Sequence, residues 1–334
     1  MAPTANPRVL FAKIPGSELP VAGEHIVYDA TPTIDLDVDL KGGFLTKTLL
    51  LSPEPYMRQR LRDPSVPYYS TPMKLGQPLV SVGLVLVLRS EKDGVSAGDH
   101  MVGCTPWEMY TVQPYVDGAF PWTKYCGCLA IPGLTAFAGV ERFADAKEGE
   151  TIYVSSGASG VGSLVIQLCK NKGLKVIGSA STSEKVEFMR SIGADVAFNY
   201  KTTSVASVLS QYGPIDLYFD NVGGQQIEIA LDNMNLHGRI IVSRSMGLEL
   251  LLTQHRNLNE LFNRRIRLEG FNVVDHFDLQ TRFLAELPPL IAQGKIKSQE
   301  HLFMGLESGT AAFLALFNGT AKGKPVVVVD LQYT

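Results

Sequence analysis

Cysteine is scarce in this chain: Cys104, Cys126, Cys128 and Cys169 are the only four in 334 residues. Four are too few for a disulfide framework and suit a reducing compartment. Cys126-Gly-Cys128 has no second cysteine pair to complete a tetrahedral metal site. The histidines His25, His100, His237, His255, His276 and His301 form no His-Glu pair. A ligand set for a catalytic zinc is therefore missing. No Gly-x-Ser-x-Gly elbow occurs, which argues against a serine hydrolase. Neither sign of charge dominates: 30 Lys and Arg face 33 Asp and Glu, a net charge of −3. That balance speaks against nucleic acid or an anionic membrane as the main partner. Long apolar runs are also missing. The most apolar stretch, Leu79–Leu88, is too short to span a bilayer. The opening segment MAPTANPRVLF lacks the charged-then-apolar layout of a signal peptide. The expected setting is the cytoplasm, and the expected partner is a small molecule.

Apolar residues make up 45% of the chain and charged residues 19%, as in a folded globular protein. The length suggests two domains. The first part reads as β-rich, with strands expected at Phe44–Leu51, Leu79–Leu88, Met101–Gly103 and Tyr110–Gln113. Pro53, Pro55, Pro64, Pro67, Pro72 and Pro78 exclude long helices there. Past Pro132, strand-like and helix-like segments alternate. Expected strands are Thr151–Ser155, Leu174–Gly178, Val196–Tyr200, Ile215–Asp220, Gly238–Ser243 and Ile266–Phe271. Expected helices are Val161–Lys172 and Ser183–Ile192, the latter capped by Thr182 or Ser183 and ended by Gly193. This rhythm predicts an α/β fold, a doubly wound parallel sheet with helices on both faces. A last strand, Lys324–Asp330, follows a helix near Gly309–Phe317 and is a candidate to rejoin the first domain.

The sharpest local signal is TIYVSSGASGVG, Thr151–Gly162. Gly157, Ser159 and Gly162 occupy the three positions of a G-x-G-x-x-G loop, with Gly160 and Val161 between them. Such a loop turns tightly and sets a pyrophosphate at the positive end of the following helix. The alternative is a glycine-rich turn with no ligand. The surrounding strand–helix–strand unit favours dinucleotide binding. An NAD site carries an acid at the end of the second strand. Here Gly178–Ser183 has none, and Glu184 and Lys185 follow. Small residues leave room for a 2′-phosphate and Lys185 can neutralise it, so NADP(H) is the expected cofactor. A solvent-facing role for Lys185 is the alternative.

Several motifs together resemble the zinc-independent medium-chain dehydrogenase/reductases, in the prostaglandin reductase and alkenal double-bond reductase branch. They are KIPGSELPVAGEHIV (Lys13–Val27), LSPEPYMRQRLRDP (Leu51–Pro64), GDHMVG (Gly98–Gly103), IPGLTAF (Ile131–Phe137), the glycine loop, SEKVEFMRSIGADVAFNYKT (Ser183–Thr202), YFDNVGG (Tyr218–Gly224), GRIIV (Gly238–Val242) and RIRLEGF (Arg265–Phe271). The resemblance implies a Rossmann domain, 128–299, inserted in a β-rich GroES-like domain, 1–127 and 300–334. It also implies a homodimer. By the same resemblance Gly157, Ser159, Gly160, Val161 and Gly162 bind pyrophosphate, Lys185 meets the 2′-phosphate, and Tyr200 lines the adenosine side. Asn221 and Ser243 lie beside the cofactor, and the Leu268–Val274 segment, with Phe271 and Val273, meets the nicotinamide carboxamide. Tyr56 corresponds to an aromatic of the substrate cleft.

Departures from the family fall on the substrate side. A tyrosine expected soon after the GRIIV strand is absent from Gly238 to Phe271, where Arg244 and Glu249 appear instead. Phe137 replaces another tyrosine. Ala321 or Lys322 stands where asparagine is common. The stretch between Tyr110 and Pro132 is short, with Trp107, Trp122 and Tyr125 in or beside it. The implied function is NADPH-dependent reduction of the carbon–carbon double bond of an α,β-unsaturated ketone or aldehyde, with secondary metabolism as the expected setting. Tyr56 and Arg244 are the candidate catalytic residues, and Tyr56 could equally be a packing aromatic. A quinone reductase, or a non-reducing descendant performing isomerisation or cyclisation, are the alternatives.

Overall fold

Short apolar runs punctuated by proline and glycine fold into short strands, as the first part of the chain shows. The computed structural model describes residues 3–113, 129–243 and 257–333. Trp122, Tyr125, Cys126, Cys128, Arg244 and Glu249 lie outside the described residues. In chain order the first strands are β1 (Thr4–Ala5), β2 (Arg8–Phe11), β3 (Ile26–Asp29), β4 (Thr33–Ile34) and β5 (Phe44–Ser52). After them come β6 (Val80–Ser90), β7 (His100–Pro106) and β8 (Tyr110–Gln113). β5 pairs with β6 and β8, and β6 with β7, all antiparallel. Gly83 is required where β6 passes an irregularity in β5: a Cβ there would lie 2.4 Å from Thr105 and 2.8 Å from the Leu50 carbonyl. The prolines between β5 and β6 admit only the short helix α1 (Tyr56–Arg60).

The chain continues through α2 (Ile131–Ala138), β9 (Thr151–Val154), α3 (Gly160–Asn171), β10 (Lys175–Ala180), α4 (Ser183–Ser191) and β11 (Val196–Asn199). It goes on through α5 (Val205–Tyr212), β12 (Ile215–Asp220), α6 (Gln225–Asn233), β13 (Met234–Val242), α7 (Asn259–Asn263), β14 (Arg267–Gly270) and α8 (Gln280–Ala292). It then forms β15 (Glu300–Met304), α9 (Gly309–Asn318) and β16 (Lys324–Val328). β16 pairs parallel with β15 and antiparallel with β5, so the last strand extends the first sheet. Two compact units result: Met1–Ala130 with Glu300–Thr334, and Ile131–Gln299.

In the second unit all strands are parallel, in the order β11-β10-β9-β12-β13-β14. This is the doubly wound dinucleotide-binding order, whose direction reverses between β9 and β12. Tyr153, Ile177, Phe198, Tyr218 and Ile240 pack on one face with Val205 and Leu209 of α5 and Ile227 and Ala230 of α6. β13 begins at Met234, four residues before the expected Gly238, because Met234 already pairs with Ile215 ahead of a register shift. Gly139 follows α2, where a Cβ would lie 2.5 Å from the Phe219 ring and 3.3 Å from Phe271.

The first unit has its own core of Val9, Phe11, Ile26, Leu51, Met57, Leu61, Trp107, Phe313 and Val327. Trp107 is fully buried and donates its indole N–H to Ser81 Oγ at 2.8 Å. It is thus a core residue and not part of the altered stretch after Tyr110. Lys324 of β16 reaches Glu54 Oε1 at 3.0 Å and the Pro53 carbonyl at 2.5 Å, and Ser52 Oγ donates to the same Glu54 oxygen at 2.9 Å. Both ionic side chains are about 5% exposed or less. The pair fastens the last strand to the turn that starts α1. Removing one partner of such a pair strands a buried charge, at a cost of about 3–5 kcal/mol. Among the described residues no helix is long and apolar enough to cross a membrane.

Candidate functional site

The turn from β9 into α3 is set by contacts that admit almost no side-chain atoms. A Cβ on Gly162 would lie 2.4 Å from the Ser156 carbonyl, and one on Gly157 would lie 2.6 Å from Met189 Sδ. Ser156 takes a positive φ of 51° at the bend. Ser159, extended at ψ 170°, is the N-cap of α3 and accepts the Gly162 N–H at 3.1 Å. The middle position of the motif therefore caps the helix itself. By helix geometry, the N–H groups of Gly160 and Val161 have no acceptor within the helix and point out of its first turn. With the positive end of a twelve-residue helix behind them, they can receive a phosphate oxygen.

Beside this loop, at the carboxyl ends of β9, β12 and β13, lies a buried polar network. Asp220 is wholly buried. One of its carboxyl oxygens, Oδ1, accepts the Tyr218 hydroxyl at 2.6 Å, the Gly223 N–H at 2.8 Å, the Val222 N–H at 3.0 Å and the Ser155 hydroxyl at 3.3 Å. Oδ2 is buried with no partner among the described residues. Ser155 Oγ accepts the Asn221 N–H at 2.9 Å. Asn221 Nδ2 donates to the Ser155 carbonyl at 2.8 Å, and its Oδ1 accepts from Ser243 Oγ at 2.9 Å. Asn221 is thus a strut between three strand ends. Ser155 and Asp220 were not among the sequence candidates. The available signal was an acid closing the apolar strand IDLYFD. Burial pushes the Asp220 carboxyl above its ordinary value, against the pull of its four donors.

The next strand end carries charge. Thr182 caps α4 by accepting the Lys185 N–H at 3.3 Å, as one of the two expected caps, and Lys185 Nζ lies 3.5 Å from Ser181 Oγ. Burial, and then the charge of Lys201, holds the Lys185 ammonium below its ordinary value. Tyr200 follows β11; its ring is exposed and its N–H donates to the Ala180 carbonyl at 3.0 Å. At the far edge Phe271 stacks on Phe143 with centroids 4.6 Å apart, and its N–H donates to the Val242 carbonyl. Val273 is buried at the start of a short 3₁₀ turn capped by Asn272. The structure brings Gly157, Ser159, Gly160, Val161, Gly162, Lys185, Tyr200, Asn221 and Ser243 to the carboxyl edge of one sheet.

In the first unit Tyr56 opens α1 and packs partly against the core of Met57, Leu61 and Phe313. Its hydroxyl has no hydrogen-bond partner among the described residues. Burial first, then the charges of Glu54 and Cys104, push it well above the usual phenol value. Such a hydroxyl stays protonated and is available as a donor. Among the described residues no three His, Cys, Asp or Glu side chains gather as a metal site.

Comparison with known proteins agrees with this architecture. Residues 160–287 match the zinc-binding dehydrogenase family model, and residues 32–119 match the N-terminal domain of oxidoreductase. A 2-alkenal reductase (NADP(+)-dependent) of Nicotiana tabacum is 38% identical over 302 residues, covering 86% of this chain and 88% of that protein. The (+)-pulegone reductase of Mentha piperita is 37% identical over 319 residues, covering 90% and 93%. The crystal structure of CurA in complex with NADPH, from Vibrio vulnificus, superposes with a TM-score of 0.86 at 27% identity, covering 97% of this chain and 99% of that one. The chain belongs to the medium-chain dehydrogenase/reductase family, in its alkenal/one reductase branch.

The raised Asp220 carboxyl has a consequence for stability. A group whose folded-state value is raised contributes stability that is full below the unfolded carboxyl range. That contribution is lost as pH rises through the folded-state value. Asp220→Asn keeps an accepting oxygen and cannot ionise, so its stability relative to wild type is expected to improve as pH rises from the ordinary carboxyl range toward neutrality. Asp220→Ala strands the donors of this oxygen and is expected to lie about 2–3 kcal/mol below Asp220→Asn at every pH. Denaturant unfolding across that range checks both; a wild-type-to-Asn difference that is flat with pH sinks the raised carboxyl.

Proposed function

We propose that this protein is an ene-reductase that uses NADPH to reduce the carbon–carbon double bond of an α,β-unsaturated ketone or aldehyde. One observation carries the cofactor choice: at the end of β10, where an NAD site puts a carboxylate, the half-buried cation Lys185 stands beside Ser181. The activities named for the alkenal and pulegone reductases support the reaction. When bound, the nicotinamide supplies hydride to the β-carbon of the substrate.

The chain's residues hold and orient the reactants. Ser159, Gly160, Val161 and Gly162 offer the pyrophosphate the open end of α3. Lys185 neutralises the 2′-phosphate, and Tyr200 flanks the adenosine. Asn221 and Ser243 fix the strand ends beside the nicotinamide, and Phe271 and Val273 bring backbone toward its carboxamide. The Tyr56 hydroxyl donates a hydrogen bond to the carbonyl oxygen as negative charge develops there. Arg244 is a second donor for that oxygen or for a substrate carboxylate. The reaction uses no metal, and the cytoplasm suits it.

The missing tyrosine between Gly238 and Phe271 favours a second reading, a descendant that keeps NADP(H) and isomerises or cyclises its substrate. NADPH absorbance followed with enones, enals and quinones separates the readings. The expected result is oxidation with enones or enals. Oxidation by quinones alone, or none at all, overturns the proposal. Lys185→Ala is expected to weaken NADPH by about 1.5–3 kcal/mol and leave NADH unchanged. Equal losses for both nucleotides refute the phosphate contact.

For the catalytic pair, Arg244→Ala is expected to lower turnover about tenfold or more, with NADPH affinity unchanged within a few-fold. Tyr56→Phe, which keeps the packing, is expected to lower turnover similarly. Full turnover in either variant removes that residue from the site.

The proposed homodimer rests on the sheet edge. β14 is the last strand of its sheet, and Leu258, Phe262 and Leu268 are exposed near it, Phe262 at 85%. Two such edges related by a two-fold axis would pair antiparallel and cover these side chains. Light scattering should give twice the chain mass for the wild type and a shift toward monomer for Phe262→Glu. A monomeric wild type rejects the dimer.

A further inference from the structure

β10 and β11 are adjacent parallel strands, with Ala180 level with Asn199. Neighbouring strands lie about 4.8 Å apart, so the segments leaving Ala180 and Asn199 emerge side by side. After Ala180 come Ser181, Thr182 and the first turn of α4 with Lys185. After Asn199 come Tyr200 and Lys201. The second turn is fixed. Tyr200 N–H is tied to the Ala180 carbonyl at 3.0 Å. The Asn199 side chain accepts the Lys201 N–H at 3.0 Å, and the Asn199 carbonyl accepts the N–H groups of Thr202 at 3.1 Å and Thr203 at 2.9 Å. This folded turn presents Lys201 at the same edge as Lys185. Lys201 is exposed and has no ion-pair partner among the described residues. Its charge reaches Lys185, helping to hold that ammonium below its ordinary value.

Two ammonium groups brought together at one strand edge repel each other, and an anion set between them relieves the repulsion. We propose that Lys201 is a second cation of the 2′-phosphate site, which it forms with Lys185, Ser181 and Tyr200, and that it adds to the preference for NADPH over NADH. The inference rests on the NADPH reading above. In it Lys185 is the close contact, and Lys201 acts from the rim as a charge that strengthens the field at the phosphate. Because Lys201 is exposed, its contribution should be salt-sensitive.

The test is direct binding to the full-length protein, by nucleotide fluorescence or calorimetry, with four probes: NADPH, NADH, 2′,5′-ADP and 5′-AMP. Lys201→Ala is expected to raise the Kd for NADPH and 2′,5′-ADP about three- to fivefold, and to leave NADH and 5′-AMP within about twofold. The dependence of NADPH binding on salt should become shallower. Lys201→Arg should restore affinity and Lys201→Glu should weaken it beyond the alanine. If Lys185→Ala weakens 2′,5′-ADP while Lys201→Ala does not, the role of Lys201 is overturned and the NADPH reading stands. If neither variant distinguishes 2′,5′-ADP from 5′-AMP, both are overturned. Equal weakening of all four probes by Lys201→Ala marks a general disturbance of the turn and also overturns the proposal.

Discussion

The carboxyl ends of β9, β12 and β13 meet where the doubly wound sheet changes direction, and their buried backbone groups need partners there. A buried N–H or carbonyl left unpaired there would cost about 1–3 kcal/mol. The chain meets this constraint with four side chains: Asp220, Ser155, Asn221 and Ser243. Asp220 gathers Tyr218, Val222 and Gly223 on one oxygen, which shapes the turn into α6. Gly223 and Gly224 take positive φ values of 81° and 62° in that turn, a conformation glycine adopts without strain. Ser155 and Asn221 then bind the end of β9 to the end of β12, and Ser243 adds β13. The phosphate loop starts one residue beyond Ser155. Its position relative to the other strand ends is therefore inherited from this network.

The loop also shows why a serine serves at the middle of the glycine motif. A Cβ on Gly162 would collide with the Ser156 carbonyl, and one on Gly157 would have to push the Met189 side chain aside. Ser159 faces no such limit and is in the extended conformation open to any residue. A serine there satisfies the Gly162 N–H, which a glycine would leave to the ligand or to water. The helix end is stabilised before any anion arrives, while the N–H groups of Gly160 and Val161 remain available.

Much of this could be read from residues in sequence. The change from proline-punctuated short runs to alternating strands and helices separated the β-rich part from the parallel sheet. Gly157, Ser159 and Gly162 located the loop because strand–loop–helix packing leaves a local signature, and Thr182 and Gly193 marked the ends of α4 for the same reason. Non-local facts were hidden. β15, Glu300–Met304, has no regular alternation and no β-branched residue; it is a strand because β16 pairs with it. Trp107 looked like a loop aromatic, but its partner Ser81 is 26 residues away. Asn221 read as a cofactor contact, while its hydrogen bonds run to residues 66 and 22 positions distant. Ser155 and Asp220 leave little local signal, because a lone serine or acid at a strand end has meaning only once the neighbouring strand is known.

Electrostatics divides the two ends of the proposed chemistry. At the proposed nucleotide end the chain concentrates positive charge, and burial keeps Lys185 short of water, so a phosphate would gain more from it than from a surface lysine. At Tyr56 the chain does the opposite. Burial and the nearby Glu54 disfavour the phenolate, so the hydroxyl keeps its proton at any physiological pH. In the proposed reaction a donor of that kind would stabilise an oxyanion that forms only during hydride transfer, without losing its own proton. It follows that Tyr56 is poorly suited to protonate the α-carbon, since the phenolate left behind would be buried beside a carboxylate. In an ene-reduction at this site the proton would come from solvent. Stereochemistry at the α-carbon would then depend on which face water can reach, and stereochemistry at the β-carbon on how the substrate lies against the nicotinamide.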